Sequence, residues 1–243
     1  MISLKEKVCL ITGASTGIGA AIAQTFSKDG ATVVLAARSA EKLNAFAESI
    51  QKQGGSAIPV ETDVCSEASV IALFDRIKSE CSSLDILINN AGISAGGPVE
   101  DLEFETWRSV MQVNLDGAFL CSREAFKIMK SQGSGRIINI GSVSAIMPRV
   151  HSAPYTTSKF ALEGLTRSLA LDGRQFGISV GVLQPGNTLT PLWDDRLEVA
   201  NKEGTMDAND LAEIALSMAR LPDGISILES TILPISMPFL GRG

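Results

Sequence analysis

Histidine and tyrosine each occur once in this 243-residue chain, as His151 and Tyr155, and tryptophan only twice. A lone histidine takes the commonest metal ligand out of play, and the four cysteines, Cys9, Cys65, Cys81 and Cys121, contain no CxxC pair. That excludes a zinc knuckle and a paired-thiol redox motif, and no metal-ligand set is read elsewhere. The cysteines are expected to be reduced, with Cys9 and Cys121, which lie in apolar stretches, serving as small buried hydrophobes. Long apolar runs are also missing. None reaches the roughly 18 residues of a membrane span, and Met1 to Lys7 lacks the apolar core of a signal peptide, so no membrane partner and a cytoplasmic location are expected. Charge is not gathered in blocks: 21 basic side chains face 27 acidic ones, interspersed, for a formal charge of -6. No footprint for nucleic acid follows.

What is present reads as one soluble α/β domain over residues 1–243. Apolar residues make up 45% of the chain and charged ones 20%, enough to bury a core. Short apolar runs at Val8–Ile11, Thr32–Ala36, Ala57–Glu61, Ile86–Asn89, Gly135–Ile140, Ser179–Leu183 and Ser226–Leu233 predict seven strands. Between them lie helical segments at Gly17–Asp29, Ser39–Gln53, Glu67–Glu80, Glu105–Ser131, Tyr155–Gln175 and Asp207–Ala219. This alternation predicts a Rossmann-type fold, a doubly wound seven-stranded parallel sheet with helices on both faces. A cofactor half would run over about residues 1–140, and a catalytic and substrate half over about 141–243. The Glu105–Ser131 and Tyr155–Gln175 helices are apolar around much of their circumference, so they need extra cover. Subunit contact in a homo-oligomer, dimer or tetramer, would supply it, as would denser packing within one chain.

The first strand runs into Thr12-Gly13-Ala14-Ser15-Thr16-Gly17-Ile18-Gly19, glycines spaced GxxxGxG at the start of a helix. Glycine lets the backbone turn tightly and approach a pyrophosphate, which then rests on free helix N–H groups. A dinucleotide site is implied, with Gly13, Ser15, Thr16, Gly17, Ile18 and Gly19 around the phosphates. The second strand ends Ala36-Ala37-Arg38-Ser39. A carboxylate there would bind a ribose 2′-hydroxyl; Arg38 instead offers a planar donor fork suited to a 2′-phosphate, so NADP(H) is the expected cofactor. A solvated surface arginine opening a helix is the bland alternative.

Further along stand Asp63-Val64, Asn89-Asn90-Ala91-Gly92, Asn114, Ser142, Tyr155-xxx-Lys159 and Pro185-Gly186, in that order after Thr12-Gly13-xxx-Gly17-x-Gly19. In these pieces the chain resembles the short-chain dehydrogenase/reductase family from about Lys5 to Pro191. The resemblance implies that Asp63 and Val64 bracket the adenine and that Asn90, Ala91 and Gly92 line the cofactor cleft. It also implies that Pro185, Gly186, Thr188 and Thr190 receive the nicotinamide carboxamide, and that Asn114, Ser142, Tyr155 and Lys159 form a catalytic tetrad.

The chemistry suits that spacing. Tyr155 and Lys159, four apart on a helix, emerge on one face. A free tyrosine hydroxyl titrates at about 10. A neighbouring ammonium favours the phenolate and brings it toward the working range. Ser142 follows a strand at the carboxyl edge of the sheet, where it can hold a substrate oxygen. In the family, Asn114 holds a water that links Lys159 to solvent. Singly, each has a dull reading: an amphipathic surface tyrosine, a solvated lysine, a capping serine and a polar asparagine kink.

Substrate contacts are expected from Ser94, Ser142, Val143, Met147 and His151, and from Leu192 and Trp193 in a lid over about residues 188–204; a packed surface helix is the alternative for that segment. The substrate would be a ketone, aldehyde or 3-oxo acid, or the matching alcohol. Two alternatives share the features. A 3-oxoacyl-[acyl carrier protein] reductase would need a basic surface, for which Arg123, Lys127, Lys130 and Arg167 are scattered candidates. A non-catalytic NADP(H)-sensing regulator would have no need of the tetrad. Two departures from relatives stand out: Thr16 occupies a place where many NADP-using members carry arginine, leaving Arg38 to hold the phosphate alone, and the tail reads Met237-Pro238-Phe239-Leu240-Gly241-Arg242-Gly243 instead of a Val-Asp-Gly-Gly type sequence.

Overall fold

Largely apolar strands need cover on both faces, and the chain provides it by winding helices first onto one face, then onto the other, and back to the first at the end. A computed structural model describes residues 3–190 and 202–239. The strands are β1 (Val8–Thr12), β2 (Thr32–Ala37), β3 (Ser56–Glu61), β4 (Ile86–Asn89), β5 (Gly135–Ile140), β6 (Ile178–Pro185) and β7 (Glu229–Ile232). All pair in parallel, in the order β3-β2-β1-β4-β5-β6-β7. The order reverses between β1 and β4, so their carboxyl ends flank the crevice where such sheets bind ligands.

Helices α1 (Gly17–Lys28), α2 (Ala40–Lys52) and α7 (Ala208–Ala219) cover one face, with Ile22, Phe26, Leu43, Ile50 and Leu211 fully buried against Cys9, Ile11 and Leu35. On the other face, α3 (Glu67–Glu80) and α5 (Gly117–Gln132) bring Leu73, Phe74, Cys121 and Met129 onto Leu10, Leu87 and Ile137, with Leu169 of α6 (Ala153–Gly173) beside them. Cys9 and Cys121 are buried, and burial raises both thiols, that of Cys121 to about 12. Both behave as the small hydrophobes expected of them. Among the described residues no helix is long and apolar enough to cross a membrane.

Two predicted elements need correcting. The single helix expected over Glu105–Ser131 is instead α4 (Phe104–Met111), a π-helical stretch (Gln112–Asp116) and α5. The Gly117 N–H reaches the Gln112 carbonyl five residues back, and this wider turn carries Asn114. The strand expected over Ser226–Leu233 shortens to four residues, because pairing with β6 begins at Glu229 opposite Val182. Ile227 and Leu228 before it are exposed, so their apolarity mimics a strand without being one.

Candidate active site

Thr12 ends β1 and fastens it to the end of β4. Its hydroxyl donates to the Ile88 carbonyl at 3.3 Å and accepts the Asn90 and Ala91 N–H groups at 3.0 and 3.1 Å. Asn90 answers by donating Nδ2 to the Thr12 and Gly13 carbonyls, at 2.9 and 3.2 Å. The glycine turn is tight. Gly13 and Gly17 adopt φ of +64° and +57°, and a Cβ on Gly19 would stand 2.4 Å from the Gly13 oxygen. Helix α1 then begins with no side-chain cap at Thr16 and no acidic residue in its first turn. Its first N–H groups therefore meet neither a competing acceptor at the cap nor a repelling carboxylate, which suits a pyrophosphate.

From this turn a cleft of about 570 Å³ follows the carboxyl edge of the sheet. Its floor and near wall include Gly13, Ser15, Thr16, Gly17 and Ile18; Gly19 lies buried beneath them. One end is formed by Arg38, Ser39, Asp63 and Val64. Ser39 caps α2 by accepting the Lys42 N–H at 3.4 Å, which turns that first helical turn toward the cleft and brings Lys42 into the same wall. Arg38 is therefore not the only cation there. Asp63 is fixed by accepting the Cys65 N–H at 3.0 Å, and Val64 packs against Gly117.

Toward the other end, Asn90, Ala91, Gly92, Ser94, Ser142, Val143, Tyr155, Lys159, Pro185, Gly186, Thr188 and Thr190 all border the cleft. Ser142 sits just past β5, buried, and its Oγ accepts the Ser144 N–H at 3.1 Å, capping a short 3-10 turn (Val143–Ala145). A hydroxyl that accepts one bond keeps its own hydrogen to donate. Lys159 is buried one helical turn beyond Tyr155, and its Nζ lies 5.5 Å from the centre of the phenol ring. The ammonium donates to the Ile140 carbonyl at 2.8 Å, and burial lowers its pKa from 10.5 to about 8.

Asn114 stands behind this pair. Its Oδ1 accepts the Ile93 N–H at 2.8 Å, and its Nδ2 donates to the Ile93 carbonyl and to Ser158 Oγ, both at 3.0 Å. Ser158 in turn donates to the Tyr155 carbonyl at 2.7 Å. Asn114 thus sits one side chain away from the helix turn that holds Tyr155 and Lys159, without bordering the cleft.

Met147 is exposed and borders no part of the cleft. His151, with a left-handed φ of +60°, lines a neighbouring hollow of about 370 Å³ together with Val99, Glu100 and Pro148. Leu192 and Trp193, with residues 191–201 of the lid expected over about 188–204, lie outside the described residues. Sequence reasoning named none of Lys42, Thr62, Ile93, Arg149, Ser152 and Asn187, all on the cleft. Arg149 and Ser152 do fall within the Ser142–Pro154 loop expected to face the substrate, and Asn187 within the Pro185–Thr190 stretch expected to receive the nicotinamide, while Lys42 left its own signal, four residues after Arg38 at a helix start.

The description "short chain dehydrogenase" fits a family model matched over residues 7–200. The chain belongs to the short-chain dehydrogenase family. It is accordingly an oxidoreductase of hydroxyl and carbonyl groups. Among its relatives, a 3beta-hydroxysteroid dehydrogenase of Mediterraneibacter gnavus is 39% identical over 188 residues, 77% of this chain and 68% of that one. A cis-4-hydroxycyclohexanecarboxylate dehydrogenase of Sinomonas cyclohexanicum is likewise 39% identical, over 77% of this chain and 75% of its own. A solved short-chain dehydrogenase neighbour, a gluconate 5-dehydrogenase from Burkholderia cenocepacia in complex with NADP and tartrate, superposes with a TM-score of 0.87 at 30% identity, covering 95% of this chain and 94% of that one.

Proposed function

We propose that this chain is an NADP(H)-dependent oxidoreductase that reduces a ketone, aldehyde or 3-oxo acid to the alcohol, or runs the reverse, with Tyr155 as acid/base. The observation that carries the reading is the buried Lys159 ammonium beside the only tyrosine, on the wall of a cleft whose far end holds Arg38 and Lys42. A dinucleotide held along that cleft would supply or take up the hydride that the reaction needs. Arg38 and Lys42 would hold its 2′-phosphate, and the Gly13–Ile18 turn its pyrophosphate. Ala37, the last residue of β2, offers no carboxylate at the position where one would bind a ribose hydroxyl and repel that phosphate.

Ser142 donates its remaining hydrogen to the substrate oxygen and steadies the charge that builds there. Tyr155 gives that oxygen a proton in reduction and takes it back in oxidation. The Lys159 charge favours the phenolate, and the Ile140 carbonyl keeps the ammonium in position to do so. Asn114 fixes the turn bearing both groups through Ser158. Related chains handle hydroxy acids as well as hydroxysteroids, which places small hydroxy acids among the substrates to try.

Exposed Phe104, Phe119 and Phe160, on α4, α5 and α6, support a homo-oligomer. A carrier-protein substrate is less well supported. Arg123 and Lys127 already pair with Glu124, Arg167 pairs with Glu163 and Glu229, and Lys130 lies over the Phe176 ring.

Tyr155→Phe tests the reading. Turnover should fall by a factor of about 10² to 10⁴ while NADPH affinity stays within a few-fold. Substantial residual turnover would remove the acid/base role.

A further inference from the structure

We propose that Arg149 selects substrates carrying a carboxylate, by exchanging its protein partner Glu203 for the substrate's carboxylate. The inference deepens the oxidoreductase reading and rests on it.

Among the described residues, five charged side chains border the cleft: Arg38, Lys42, Asp63, Arg149 and Lys159. The first three stand at the end assigned to the adenosine half of the cofactor, and Lys159 is engaged beneath Tyr155. Of these five, Arg149 is the one at the substrate end. It belongs to the loop joining Ser142 to Tyr155, where Ser152 Oγ donates to its carbonyl at 2.6 Å.

Its guanidinium is already set for a carboxylate. Nη1 donates to Glu203 Oε1 at 3.2 Å and Nη2 to Glu203 Oε2, a two-point grip of fork on fork. Asn187, buried on the loop after β6, accepts from Nη2 at 3.0 Å and donates to Glu203 Oε2 at 3.0 Å. Glu203 itself does not border the cleft, whereas Arg149 and Asn187 do. A carboxylate arriving through the cleft therefore meets the donors that the protein's own carboxylate holds from behind.

The exchange keeps one ion pair for another. The Arg149 and Glu203 side chains are 32% and 20% exposed, so the displaced Glu203 can turn to water while Asn187 keeps a bond to either. Room exists as well, because Arg149 and Ser152 also line the adjoining hollow of about 370 Å³.

The test compares kcat and KM for 4-hydroxycyclohexanecarboxylate, 3-hydroxybutyrate and gluconate with those for their neutral methyl esters, in wild type, Arg149→Met and Glu203→Gln. Wild type should prefer the acids, with kcat/KM at least about 30-fold above the esters. Arg149→Met should erase that preference through the KM of the acids, leaving the esters within about threefold of wild type. Glu203→Gln, which removes the internal competitor and keeps the shape, should lower the KM of the acids or leave it unchanged. Equal losses on acids and esters in Arg149→Met, a wild-type preference for esters, or a raised acid KM in Glu203→Gln would each overturn the proposal. Failure of every acid and every ester with wild type, in both directions, would instead bring down the oxidoreductase reading beneath it.

Discussion

Replacing Lys159 by methionine separates what this side chain does for the reaction from what it costs the fold. Burial lowers its pKa from 10.5 to about 8, so between those values the unfolded chain holds a proton that the folded chain has released. Folded stability therefore rises with pH across that window, and below it the full penalty of burying the ammonium is felt. At about 1.36 kcal/mol per pKa unit, wild type should gain roughly 2–3 kcal/mol on Lys159→Met between pH 7 and pH 10. The bond from Nζ to the Ile140 carbonyl is lost in the variant at every pH, so it shifts the curve without changing its slope. Urea unfolding of both cofactor-free proteins at pH 7, 8, 9 and 10, at one protein concentration, measures the difference directly. In melting temperature the change amounts to roughly 5–10 °C for a chain of this size. A difference that stays flat within about 0.5 kcal/mol, or that moves against wild type as pH rises, would refute the desolvated ammonium. The same variant should have lost most of its turnover, the exchange of stability for chemistry common at catalytic sites.

Arg38→Asp should reverse cofactor choice, moving the ratio of kcat/KM for NADPH over NADH by about 100-fold or more, because a donor fork is replaced by a repelling charge. An unchanged ratio would show that Arg38 makes no phosphate contact. Gly19→Ala places a methyl 2.4 Å from the Gly13 oxygen and 2.5 Å from Asn90 Nδ2, so the turn must open. A loss of about 1–3 kcal/mol in urea unfolding is expected, with weaker dinucleotide binding by fluorescence titration. Both unchanged would mean that the turn has slack.

The strands were legible because a parallel strand buried on both faces is a continuous apolar run, as in Val8–Ile11 and Val33–Ala36. Ile227 and Leu228 produced the same signal while exposed, which is why β7 read too long. A π-helical turn has no composition of its own, so the break around Asn114 was invisible although the residue itself was found. Within the cleft, glycines and the Tyr155/Lys159 pair are local patterns, readable at short range. The cluster of Arg149, Asn187 and Glu203 joins residues up to 54 apart in sequence through loops without periodicity, and nothing in the chain announces it.

Asn114 bridges three separate stretches: the backbone just past β4, the π turn itself, and the opening turn of α6. One amide therefore acts as a rivet between the wall that would cradle the cofactor and the helix that would move protons. The two sides cannot drift apart by side-chain rotation alone, so reacting groups and dinucleotide floor keep a common alignment before anything binds. Wear at that single point would be felt on both sides at once.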